Sequence, residues 1–275
     1  MTPRIDAHLH IWRVGRGDYG WIEPGSPLDR DFTLDEARAE AQGIGGIVLV
    51  QAAPSEPETE FLLAEARASA GLVRGVVGWT DLAAGDAPAR IAALAADPLL
   101  RGLRPMLQDL PEPEWILRPG LRPALEAMRR HGLVLDLLVK PHQLGAVLRL
   151  AAAHPDLPMV LDHCGKPDIR GGQWRGWAED IAAIARETRI ACKLSGLAAE
   201  AGKGWRADDL RRHADHVLAC FGPERVIWGS DWPVLTLTGS YRSWLDAALA
   251  LTEALPEAGR AAIFGGNAAS FYGLV

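Results

Sequence analysis

The chain lacks any apolar run near the ~18 residues that a membrane span needs, so no membrane partner is expected. It also lacks a cluster of lysine and arginine. With a formal net charge of −6, nucleic acid and anionic lipid surfaces are excluded as expected partners. Cysteine is scarce: Cys164, Cys192 and Cys220 stand apart, with no CxxC pair. So odd and sparse a count argues against a disulfide framework and for a reducing, cytoplasmic setting. No apolar leader core precedes Asp6, so no signal peptide is expected. No Gly-x-Gly-x-x-Gly follows the first extended segment, which disfavours a dinucleotide-binding open sheet. Linkers, low-complexity stretches and short-period repeats are absent as well. What remains is 275 residues with 48% hydrophobic content, enough for one globular domain expected to span 1–275.

Eight short apolar runs, rich in Val, Ile and Leu, read as strands: 4–10, 46–51, 73–81, 102–107, 133–139, 159–163, 189–194 and 226–231. Segments with apolar residues at three- and four-residue spacing lie between them and read as helices: 34–42, 58–70, 87–96, 119–131, 143–154, 177–188 and 208–221. One more, 243–255, follows the eighth strand. Strand–helix alternation implies a parallel sheet, because each return needs a crossover. Eight units in this length are the arithmetic of a (β/α)8 TIM barrel. The segment 15–32 is long for a barrel loop and, with Tyr19 and Trp21, is expected to reach over the mouth.

In such a barrel the functional groups gather at the C-terminal ends of the strands. Those ends carry His8 and His10, then Gln51, Trp79 and Asp81, Arg104, Asp136, Asp162 and His163, Lys193 and Ser195, and Asp231. Residues two apart on a strand point the same way, so His8 and His10 present two imidazoles on one side. Two imidazoles and a carboxylate from distant strand ends suit a divalent ion or acid/base work.

Four segments resemble the amidohydrolase superfamily and, within it, the amidohydrolase-2 branch of sugar lactonases. They are Asp6-Ala7-His8-Leu9-His10, Leu161-Asp162-His163-Cys164-Gly165-Lys166-Pro167, Lys193-Leu194-Ser195-Gly196 and Trp228-Gly229-Ser230-Asp231-Trp232-Pro233. The resemblance runs through nearly the whole chain and implies the same barrel. It also implies a first-strand pair at His8 and His10, a sixth-strand histidine at His163 and a general base at Asp231. Dinuclear relatives carry a further His where this chain reads Leu135-Asp136-Leu137-Leu138, which implies one ion at most. Related lactonases often read Gly-Ile-Arg-His where this chain has Arg104-Pro105.

The expected activity is therefore hydrolysis of a sugar (aldonic acid) lactone, a small-molecule substrate. Asp231 and His163 are the expected catalytic residues. His8, His10 and Asp231 are the expected ligands of one divalent ion, and Zn²⁺ suits imidazole and carboxylate donors. A metal-independent route, with imidazoles polarising the carbonyl, stays open. Gln51, Trp79, Arg104, Lys166 and Trp232 are the candidate substrate contacts, with structural hydrogen bonding or packing as the competing role of each. Two other readings stand beside the lactonase: a metal-dependent non-oxidative decarboxylase of an aromatic or muconate-type acid, and a catalytically silent barrel that binds a partner. Oligomeric state is not legible.

Three plainer expectations complete the reading. Asp162 alternates away from His163 and should face the helices. Cys164 should be an inert buried thiol. His213 and His216, three apart on a helix, should form a solvated pair.

Overall fold

The computed structural model describes residues 3–274. Its eight strands form one all-parallel sheet in chain order: β1 (Ile5–Leu9), β2 (Gly46–Val50), β3 (Val73–Gly78), β4 (Leu100–Leu103), β5 (Val134–Leu137), β6 (Met159–Leu161), β7 (Ala191–Leu194) and β8 (Val226–Trp228). Crossover helices follow the strands: α1 (Leu34–Glu40), α2 (Glu56–Ala68), α3 (Ala87–Leu94), α4 (Arg122–Arg130), α5 (Leu144–Ala153), α6 (Arg175–Glu187), then α7 (Leu197–Ala201) with α8 (Ala207–Phe221). After β8 come α9 (Tyr241–Leu251), α10 (Glu257–Ala261) and α11 (Asn267–Phe271). Every expected strand and helix has its counterpart here. The unforeseen helices α7, α10 and α11 have five residues each, too few to show a period.

Helix starts follow local chemistry. Thr33 and Glu36 form a reciprocal capping box on α1, and the Ser55 side chain caps α2. Closure of the barrel relies on the segment beyond β8. There the Asp231 N–H donates to the His8 carbonyl at 2.8 Å and the His10 N–H to the Trp232 carbonyl at 2.7 Å. Gly229 permits that approach, since a Cβ there would lie 2.6 Å from the His8 Cβ.

Two apolar layers share the core. The larger lies between strands and helices. The smaller fills the barrel interior with Ile5, Ala7, Val48, Val50, Val77, Val134, Val160, Ala191 and Ile227, and Ala268 and Tyr272 pack with them. Strict alternation from Ile5 and Ala7 would send His8 outward with Asp6, whose carboxylate accepts the Tyr241 hydroxyl of α9 at 2.9 Å. Instead β1 slips register against β2 between Asp6 and Leu9. This bulge turns His8 and His10 inward and leaves Leu9 in the helix-facing layer.

Candidate active site

The interior above the apolar floor begins with a layer of charge. Asp136, Asp162 and Lys193 are fully buried and Arg104 nearly so. Lys193 Nζ lies 2.5 Å from Asp136 Oδ2 and 3.1 Å from Asp162 Oδ1. Arg104 Nη1 lies 3.3 Å from Asp162 Oδ2. From below, the Tyr272 hydroxyl donates to Asp136 at 2.9 Å. Burial raises the Asp136 carboxyl to about 6, with the Lys193 ammonium offsetting part of the effect. Burial works the same way on Asp162, but Lys193 and His8 more than offset it, and this carboxyl is held well below its usual range.

Asp162 is thus the main correction to the sequence reading. Strand parity with Val160 points it into the barrel. His163 points inward as well, because His163 and Cys164 take left-handed backbone (φ +53° at both) that ends the alternation. Gly196 makes room for this turn, since a Cβ on it would meet the His163 Cβ at 2.6 Å. Asp231 is also left-handed, with φ +60°. Non-glycine residues in this region cost of order 1 kcal/mol or more each and collect at functional sites.

Above the charged layer three imidazoles converge on one carboxylate oxygen. His10 Nε2 lies 3.3 Å from Asp231 Oδ1, and His8 Nε2 and His163 Nε2 each lie 3.8 Å from it. A hydrogen-bond partner fixes the tautomer of His10. His10 Nδ1 faces the Val50 carbonyl at 2.7 Å, so it carries the proton and Nε2 is left with its lone pair. At His8, Arg104 Nη1 points at Nε2 from 3.2 Å. Lys193 Nζ lies 3.1 Å from the other nitrogen, Nδ1, and Asp162 Oδ1 lies 3.4 Å from it, so both nitrogens of His8 face cationic donors. His163 Nδ1 meets the Ser195 hydroxyl at 2.9 Å. Burial holds His8 well below its usual range and His163 down to about 4, so both rings are neutral at physiological pH. Burial would raise Asp231, but His163 and the neighbouring imidazoles outweigh it, and the carboxylate stays ionised.

The His10 lone pair turned toward a carboxylate calls for a cation or for the protons of water. Ligand atoms of His8, His163 and Asp231 all lie within 4.8 Å of one another. The donor set therefore fits a single divalent ion. Its tightest grouping has His163 where His10 was expected, with His10 beside it. Arg104 Nη1 stands 3.2 Å from His8 Nε2, so that contact and an ion on this nitrogen exclude each other.

A family model described as amidohydrolase matches residues 5–274. The chain belongs to the amidohydrolase family. An L-fucono-1,5-lactonase of Burkholderia ambifaria is 43% identical over 285 residues, covering 99% of this chain and 96% of that protein. Another L-fucono-1,5-lactonase, from Burkholderia multivorans, is 36% identical over 98% of this chain and 96% of its own length. A solved amidohydrolase from Burkholderia multivorans with bound zinc superposes with a TM-score of 0.92, at 36% identity and full coverage of both chains.

In this amidohydrolase, Arg104 and Lys166 line a cavity of about 220 Å³ together with His10, His163 and Asp231, below Trp21 of the 15–32 loop. Trp79 lines an adjoining chamber. Gln51 and Trp232 are placed elsewhere. The Gln51 amide donates to the Arg104 carbonyl at 2.7 Å and its own carbonyl accepts from the Arg104 guanidinium, which makes it a support for that arginine. Trp232 packs edge-on against Phe32, with 5.4 Å between ring centroids. Cys164 is buried, its thiol on the Lys193 carbonyl, as the plain reading held. His213 and His216 are not a solvated pair. Both pack against Trp174 and Trp177, and His216 Nε2 contacts the Ala178 carbonyl at 2.9 Å. The cavity wall formed by Met106, Gln108 and Asp109 was missed, because a loop after a strand carries no periodic signal.

Proposed function

We propose that this amidohydrolase opens the ring of a sugar lactone. The carrying observation is the single ionised carboxylate, Asp231, ringed by three inward imidazoles at the floor of a small cavity. Two full-length relatives with lactonase names support the reading. The decarboxylase and silent-barrel alternatives have no comparable support.

Lactone hydrolysis needs a polarised carbonyl, a deprotonated water and a proton for the departing ring oxygen. Asp231, held below the ordinary carboxylate range, takes the proton of a water seated against the Nε2 atoms of His10 and His163. It returns that proton to the alkoxide as the acyl–oxygen bond breaks. Arg104 and Lys166 bring positive charge to the cavity wall, where they bind ring hydroxyls and the carboxylate product. His8, His163 and Asp231, with His10 alongside, would hold one divalent ion, Zn²⁺ by donor type. Such an ion would polarise the carbonyl and acidify water. Among the described residues no helix is long and apolar enough to cross a membrane, and the three cysteines are unpaired. Both facts accord with a cytoplasmic setting.

Acid release from a panel of aldonolactones tests the proposal, with CO₂ release from aromatic acids followed in parallel. Lactone turnover that loses its rate in an Asp231→Asn variant is the expected result. CO₂ release without lactone turnover would overturn it.

A further inference from the structure

The catalytic cavity does not end at its own wall. A second chamber of about 650 Å³ adjoins it, about three times its volume, and the two share Trp21, Met106 and Asp109 as lining residues. Three indoles from three separate segments line this chamber: Trp21 from the loop after β1, Trp79 after β3 and Trp115 after β4. Asp18, Asp81 and Asp109 stand among them.

Trp21 is the feature that asks for an explanation. Among the described residues it is the one large hydrophobic side chain that is exposed, at 39%. Yet it is not loose, because its indole N–H donates to the Ala52 carbonyl at 2.7 Å. An exposed indole, pinned where two chambers meet, is a fixed platform at a ligand's path.

We propose that the second chamber is a subsite for a further sugar ring, so that the enzyme also opens aldonolactones that carry a second, glycosidically linked pyranose. This rests on the lactonase reading above. The reacting lactone ring occupies the small cavity beside Asp231, and the linked ring lies over the indoles. The chemistry is unchanged: water adds across the lactone acyl–oxygen bond, and the glycosidic bond stays intact. A pyranose has apolar C–H faces that stack on indoles and equatorial hydroxyls that donate to carboxylates. Asp18 is already bonded by Arg16 and Ser55, Asp81 by the Ala83 N–H and Asp109 by Gln108, but an alkyl chain would strip water from their remaining lone pairs and supply no donor. An anionic substituent would meet the carboxylates of Asp81 and Asp109, while that of Asp18 is paired with Arg16. A neutral sugar ring suits both the apolar and the acidic parts of the lining.

The test compares kcat/KM for two probes on the full chain, a six-carbon monosaccharide 1,5-lactone and cellobionolactone. Wild-type enzyme should turn over cellobionolactone at least as efficiently as the monosaccharide lactone. Trp115 lines the second chamber alone, so Trp115→Ala should lower the ratio of the two efficiencies about tenfold, with Trp115→Phe restoring most of it. If the monosaccharide lactone is not hydrolysed, the lactonase reading itself fails. If it is hydrolysed but wild-type enzyme prefers it more than tenfold over cellobionolactone, the subsite is overturned without recourse to any variant. A ratio unmoved by Trp115→Ala overturns it equally. So does a preference for lactones with alkyl substituents, which would make the chamber an apolar pocket.

Discussion

Two polar layers lie one above the other inside the barrel, and they are built on opposite plans. The lower one sets two carboxylates, Asp136 and Asp162, against two cations, Lys193 and Arg104, all buried. Its formal charges balance without help from outside. The upper one gathers three imidazoles, the His10 lone pair among them, around a single carboxylate, Asp231, and has no such balance. The lower layer is a finished structure. The upper layer is finished only when water, substrate or an ion supplies the missing donors. The contrast predicts that substitutions below will cost stability, whereas substitutions above will cost chemistry.

The largest separation of the two effects is expected at Asp231. Asp231→Asn keeps the shape of the side chain but cannot take a proton from water. It should lower kcat by roughly 10²–10⁴-fold while thermal stability stays close to wild type. A variant that kept more than about a tenth of wild-type kcat would move the base elsewhere, since tenfold is only ~1.4 kcal/mol of barrier. His163 would be the next candidate.

Lys193 gives the converse. Lys193→Met removes the cation shared by Asp136 and Asp162 and leaves buried negative charge uncompensated. A loss of about 3–5 kcal/mol in urea unfolding is expected. Adding Asp136→Asn should recover part of it, because the orphaned charge is then removed too. If Lys193→Met unfolds like wild type but has lost its activity, the lower layer is catalytic and the contrast is wrong.

How far this plan was readable from sequence differs between the layers in the same way. The strand count, the barrel and the upper-layer residues follow from apolar runs and from polar residues at strand ends. The lower layer was visible only as names. Asp136 and Lys193 were placed at strand ends without roles, and Asp162 was assigned to the wrong side. Of two backbone irregularities, the turn that brings His163 inward beside Asp162 explains the gap, while the one in β1 left the reading of His8 and His10 intact. The bulge between Asp6 and Leu9 and the left-handed turn at His163 and Cys164 each break the two-residue alternation on which facing arguments rest. Neither leaves a signature in residue type: a histidine and a cysteine are not the residues one assigns to positive φ. Tyr272 was missed as a partner because its contact with Asp136 spans 136 positions of sequence.

Arg104 is where the two layers meet, and it sharpens the comparison. It is held by Asp162 and Gln51 below and offers an N–H to His8 Nε2 above. That guanidinium occupies the approach to Nε2 that an ion would need. Arg104→Met should therefore tighten zinc binding by about tenfold, measured by competition against a chromogenic chelator. The gain should vanish in the double variant with His8→Ala, which removes the contested ligand. Unchanged or weaker zinc affinity in Arg104→Met would mean that the arginine supports the ion rather than opposing it.

The smallest expected effect, and the most discriminating, is at the underside of the lower layer. Tyr272→Phe removes only the hydroxyl that donates to Asp136 at 2.9 Å. A hydrogen bond to a charged acceptor contributes about 1.5–3 kcal/mol, and one to a neutral acceptor about 0.5–1.5 kcal/mol. Asp136 is raised to about 6 by burial, so it crosses between these two states within an accessible range. Because this folded-state pKa is above the ordinary carboxylate value, the native protein holds the proton more tightly than the unfolded chain. Stability from this group therefore falls as pH rises from about 4 toward 6. The Tyr272 hydroxyl limits that fall by stabilising the ionised form. Without it the carboxyl should shift further up, and the deficit of Tyr272→Phe relative to wild type should grow with pH. It should be about 1 kcal/mol at pH 5 and about 2 kcal/mol at pH 8, read from urea midpoints. kcat should change by less than about twofold, because the hydroxyl lies beneath the charged layer, away from Asp231. A deficit that does not change with pH would overturn the argument. It would place the proton on Asp136 throughout, and the lower layer would then carry a net positive charge rather than a balanced one.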